Sequence, residues 1–279
     1  MKLRVLLAAK RFGVDSYGMH EGATLYRTWY DTADGPAAWN VSACYPDRFE
    51  AHTWWFPIVG EVPYSGYFHE PDAQAAADEL MVQGFDVLKR DVAAYSTLGW
   101  FDDPVFRSAL SGDAFSTARL VLHEMAHAVV FFPGRVKWNE NFATLVGDRG
   151  VVAFFADRYG AHAAATVDAR SRLAAASAIG AVIDGVVAEL EVLYDSARTS
   201  SEKIRLREDV FTRGKAKLAS YAGSRMAKRW IGRPWNNALF MSWRRYRGSQ
   251  DELVAILDGR FAGDVAAFLM WLRSLDAPP

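Results

Sequence analysis

The sequence predicts an α+β fold, with a small mixed or antiparallel sheet in the N-terminal half and a mostly helical C-terminal half. Strand-like runs rich in aromatic and β-branched residues are confined to the chain before Phe101. Beyond it, apolar residues recur at helical spacing. Pro63, Gly66 and Pro71 break the intervening segment into short pieces.

In chain order, residues 2–12 and 22–30 read as helices, and 38–43 and 53–59 as strands. An alanine-rich helix is expected over 72–83, stopped by Gly84, followed by a strand over 86–94. Helices are then expected at 103–111, 115–132, 140–159, 162–198, 203–229, 235–246 and 250–276. The 279 residues are 51% hydrophobic, enough to bury a core and a catalytic centre within one large unit spanning 1–279. No repeat or low-complexity linker divides them, and the one candidate subdivision, into 1–160 and 161–279, follows the loss of strand character.

Thirty-two Lys and Arg against 33 Asp and Glu leave a formal charge of -1, so neither nucleic acid nor an anionic membrane is an expected partner. The charges of 202–229, from Glu202 and Arg207 to Arg229, fall among apolar residues at helical spacing and read as a solvated helix face. Cys44 stands alone, which rules out an intramolecular disulfide and reads as a small buried residue. The apolar stretch at 5–9 is too short for an export signal, so the expectation is the cytoplasm for the chain as it stands, or the periplasm or cell envelope if a signal was removed. No membrane span is expected, because Arg119, His123, Glu124 and His127 interrupt the longest candidate run.

The chemistry lies in that interrupted run. His123-Glu124-Met125-Ala126-His127 is an H-E-x-x-H motif within a segment apolar almost all round. Histidines four apart differ by about 40° around a helix, so both imidazoles can reach one cation with Glu124 at the edge of the same face. Chance would supply roughly 0.01 such motifs in a chain of this length. Burying three ionisable groups without a partner costs on the order of several kcal/mol, whereas one zinc ion with its water satisfies all three. A catalytic zinc takes three protein ligands, and Glu140 is the best third candidate. Pro133-Gly134 ends the first helix, so a second beginning near Asn139 can return across it. Asp148, two turns further on, could ligate instead or orient a ligand, and Glu140 could simply cap its helix.

Five segments carry a resemblance: Val-Pro-Tyr-Ser-Gly-Tyr-Phe at 62–68, Ala-Tyr-Ser-Thr-Leu-Gly-Trp-Phe-Asp-Asp-Pro at 94–104, the H-E-x-x-H motif, Asn-Glu-Asn-Phe-Ala at 139–143 and Asn-Asn-Ala at 236–238. Together they resemble the bacterial "putative aminopeptidase" family of zincin-like, gluzincin-type metallopeptidases, from about Leu3 to near the C-terminus. The resemblance implies one zinc held by His123, His127 and Glu140, with Glu124 as base, and it raises Glu140 above Asp148. Two departures stand out: Ala128 where the family usually has Gln, and Gly147 where it has an acid, with Asp148 beside it.

In such a site Glu124 would accept the proton of the attacking water and pass it to the leaving amine. An oxyanion needs a further donor, and Tyr64, Tyr67 and Tyr95 lie in family-like blocks, Tyr67 being favoured among them, although each reads more readily as a packed residue with its hydroxyl bonded to backbone. The segment 53–68 could offer a strand edge to an extended peptide. Asp102 and Asp103 read as helix caps or pocket residues; of Asn236 and Asn237, one reads as a cap and the other as a substrate contact. The expected function is zinc-dependent hydrolysis of peptide or protein substrates. The alternatives are a zincin-fold binding protein without turnover, and a metal-dependent amidase acting on a non-peptide or cell-wall substrate.

Overall fold

A computed structural model describes residues 2–19, 29–30, 36, 38–56, 60–92, 105–106, 112–247 and 250–279. The fold is α+β, with small sheets in the N-terminal half and helices filling the C-terminal half. The chain forms two compact units, each assembled from separate stretches: Met1–Ala37, Ala93–Arg170 and Arg244–Pro279 in the first, Ala38–Val92 and Ser171–Trp243 in the second.

The first unit holds helix α1 (Lys2–Tyr17) and the short strand β1 (Trp29–Tyr30). The helix expected over 22–30 lies outside the described residues except at this strand, where 29 and 30 are extended. The second unit begins with β2 (Ala38–Cys44), β3 (Trp54–Phe56), β4 (Gly60–Val62), β5 (Ser65–Tyr67), α2 (Glu70–Val82) and β6 (Asp86–Val92). The strand expected over 53–59 is thus confined to 54–56 among the described residues, where it pairs antiparallel with β4. The chain returns to the first unit with β7 (Val105–Phe106), parallel to β1. A helix was expected over 103–111; at 105–106 non-local pairing of β-branched and aromatic residues prevails over helical spacing.

In the second unit β2 lies between β5 and β6, antiparallel to both. Val41 and Ala43 pack against Ala73, Ala77 and Leu80 of α2. Glu70 and Asp72 in the first turn of α2 complement the positive end of its dipole.

Helices follow: α3 (Ala114–Val129), α4 (Val136–Tyr159), α5 (Ala164–Tyr194), α6 (Ser200–Ala219), α7 (Arg225–Ile231), α8 (Asn237–Arg247), α9 (Gln250–Phe261) and α10 (Val265–Arg273). Two expected single helices are broken. The 203–229 helix ends at Ala219 and restarts under Ser224, whose side chain accepts from the Met226 amide. The 250–276 helix breaks at Ala262 and Gly263, both at positive φ, and restarts under Asp264, which accepts from the Ala267 amide. In the first unit α3 packs against α1 and α4. In the second, Ile179, Ile183, Val186 and Leu190 of α5 pack with Phe211 and Phe240. By length and composition α5 is apolar enough to cross a membrane; its Asp184 accepts from the Trp243 indole, and its Glu189 pairs with Arg213 and Lys217.

Arg207 is not on a solvated face. It is buried, and its guanidinium grips both oxygens of Asp86 at 2.6 and 3.1 Å while donating to the Pro46 carbonyl at 2.7 Å. The Asn237 backbone N–H also donates to Asp86, and the Asn237 side chain accepts from Tyr194 Oη and donates to the Tyr45 carbonyl. Cys44, fully buried beside this network, directs its thiol at the Arg48 carbonyl, and burial pushes its pKa up to about 12.

Candidate metal centre

Asp113 caps α3 by accepting from the Ser116 amide, and the helix then buries Leu122, Met125 and Ala126 completely. This orientation turns His123 and His127 to one common side, with ring centroids 4.9 Å apart at 87°. The helix ends at Val129, three residues short of its expected end, and Val130 is extended. Residues 131–135 reverse the chain, and α4 begins at Val136, earlier than expected. Glu140 therefore stands in the second turn of α4 and is not its cap. The reversal is braced by Phe132 edge-on to Trp138 and by Trp138 stacked on Phe142.

Where α4 crosses α3, a Cβ added at Gly147 would lie 2.9 Å from the Arg119 carbonyl oxygen and 3.2 Å from His123 Cβ. A side chain does not fit at this spacing, so glycine at 147 lets the two backbones meet beside His123. Asp148 turns instead to Arg119, one helical turn before His123, and forms an ion pair with it.

His123, His127 and Glu140 offer ligand atoms that all lie within 4.8 Å of one another. One Glu140 oxygen is 3.6 Å from His123 Nε2 and the other is 3.6 Å from His127 Nε2. Those separations are too long for hydrogen bonds. They are close to the roughly 3.3–3.4 Å edge of a tetrahedron whose metal–ligand bonds are about 2.0–2.1 Å. Nδ1 of His127 is buried with no hydrogen-bond partner among the described residues. Burial, with the nearby His123 charge, pushes the His127 pKa down to about 4 against the opposing pull of Glu140. Above that pH the ring is neutral, the form that offers a lone pair. The donor set fits a zinc ion: two imidazoles and a carboxylate, held apart at ligand spacing in a partly buried site. Glu124 follows His123 on the same helix and is half-buried.

The family described as "Putative aminopeptidase" matches residues 1–279. The chain belongs to that family. Neither the curated proteins nor the solved structures compared with the chain gave a match. Membership in the aminopeptidase family makes the chain a peptidase at the level of family.

The other site candidates of this aminopeptidase-family chain are as follows. Tyr64 and Tyr67 belong to the second unit, where Tyr67 packs against the cluster of Val41, Ala43 and Leu80, and Tyr64 is exposed. Tyr95, Asp102 and Asp103 lie outside the described residues. Asn236 caps α8 by accepting from the Leu239 amide, and the Asn237 side chain is occupied by Tyr194 and the Tyr45 carbonyl. One ion-pair partner escaped the sequence reading: Arg119, which shows there only one cation in an apolar run.

Proposed function

We propose that the chain is a zinc-dependent peptidase in which His123, His127 and Glu140 hold one ion and Glu124 is the general base. The reading is supported above all by the three donor groups, which converge at a spacing too long to satisfy one another and suited to a shared cation. When bound, zinc supplies Lewis acidity and draws the pKa of water toward neutrality. The two imidazoles contribute ring-nitrogen lone pairs, and the Glu140 carboxylate offsets part of the positive charge. Glu124 takes a proton from the attacking water and delivers it to the departing amine nitrogen, which cannot leave as an amide anion. Asp148 is engaged by Arg119, which leaves Glu140 as the carboxylate facing both rings.

The test is metal analysis of the purified chain together with hydrolysis of peptides whose N-termini are free or blocked. The expected result is one zinc per chain and cleavage that is lost on chelation and restored by zinc. A chain that neither carries nor responds to a divalent metal would overturn the proposal. Cleavage confined to free N-termini would mark an exopeptidase, and indifference to blocking an endopeptidase.

A further inference from the structure

We propose that Asn139 is a positioning residue, which sets Glu140 against the two histidines by clamping the backbone of Phe132 from both sides; this rests on the zinc reading above. Asn139 is 1% exposed, and both ends of its amide are committed to the backbone of one residue, Phe132, seven positions earlier. The Phe132 N–H donates to Asn139 Oδ1 at 3.0 Å, and Asn139 Nδ2 donates to the Phe132 carbonyl at 2.9 Å. Phe132 lies in the reversal between α3 and α4, where its carbonyl also accepts from the Arg135 backbone N–H at 3.1 Å. With the Asn139 amide added, a two-point clamp fixes both the distance and the rotation of the turn relative to the start of α4.

The residue directly after the clamp is Glu140. Each position in an α-helix is rotated by about 100° from the last, so a one-residue slip of α4 would carry the carboxylate off the face that meets the histidines. Further along α4 the crossing is fixed by the close approach at Gly147 beside His123. Glu140 is held between these two constraints, with an oxygen 3.6 Å from each imidazole. The amide thus acts on the metal through the position of Glu140 and touches no ligand atom itself.

The test measures zinc affinity, by competition with a chromophoric chelator, and the thermal midpoint of the zinc-free full chain. Asn139→Ala is expected to lower zinc affinity by about 10- to 100-fold, the usual range for a group that orients a ligand. Val151→Ala, a buried change elsewhere on α4, is expected to lower the midpoint while leaving zinc affinity within about twofold of wild type. Asn139→Asp keeps the acceptor for the Phe132 N–H and loses the donor, so its affinity should fall in between; should Asn139→Ala fail to fold, this variant decides. Wild-type zinc affinity in the Asn139 variants, or a parallel loss in Val151→Ala, overturns the inference. A wild-type chain that binds no zinc overturns the metal reading itself, and that is seen before any variant is made.

Discussion

Around Asp86 in the second unit, the side chains of Arg207, Asn237 and Tyr194 direct their polar atoms at partners within 2.6 to 3.3 Å. Around Glu140 in the first unit, two imidazoles and a carboxylate face one another at 3.6 Å, and a buried ring nitrogen of His127 has no hydrogen-bond partner among the described residues. Both clusters withdraw charged groups from water, so both need compensation. The first finds it within the chain and is architecture. The second brings its donor groups together at a spacing too long for them to bond one another. Burial of polar residues alone does not tell the two clusters apart; the distances between their polar atoms do.

The contrast should break most completely at the three proposed ligands. His123→Ala or Glu140→Ala should abolish stoichiometric zinc and with it hydrolysis, whereas Glu124→Gln should keep zinc and slow hydrolysis by about 10²- to 10⁴-fold. Metal analysis alongside steady-state rates separates the roles, and equal zinc loss in all three would contradict them. In the satisfied cluster, Arg207→Met strands the Asp86 carboxylate and should cost about 3–5 kcal/mol of stability in urea unfolding, with zinc content unchanged. Tyr194→Phe removes one bond to Asn237 and should cost about 1–2 kcal/mol by the same measurement.

The smallest effect is a slope with pH. Burial pushes the pKa values of Cys44 and Tyr194 up to about 12, and burial with the Asp264 charge does the same for Tyr17. Their ordinary values are 9.0 for the thiol and 10.0 for the phenols. Between those values and 12 the folded chain binds more protons than the unfolded chain, so stability falls as pH rises. Urea midpoints at pH 8 and above 10 should show the decline, and replacing Tyr194 with Phe should flatten it.

What could be read in advance was local. The two histidines were legible as a pair because helical spacing alone brings them together, and the approach of Glu140 to them because Pro133-Gly134 announced a reversal. Short strands were harder. Among 54–56, 60–62 and 65–67 no run is long enough to display a period of two, and the pairing of 29–30 with 105–106 depends on contacts distant in sequence. The breaks before Arg225 and Val265 carried capping signals, Ser224 and Asp264, which continued apolar spacing concealed. Arg207 was misplaced on a solvated face because its partner Asp86 lies 121 residues away, beyond the reach of any local pattern.

One small feature of the second unit has a practical outcome. Cys44 is the sole thiol, sealed at the end of β2. At pH 8 a group with a pKa of about 12 is ionised in roughly one molecule in ten thousand, and alkylating reagents attack only the ionised form. Labelling must therefore wait for the sheet around it to open, and its rate becomes a clock for the breathing of that unit, read from a single mass increment without any engineered probe.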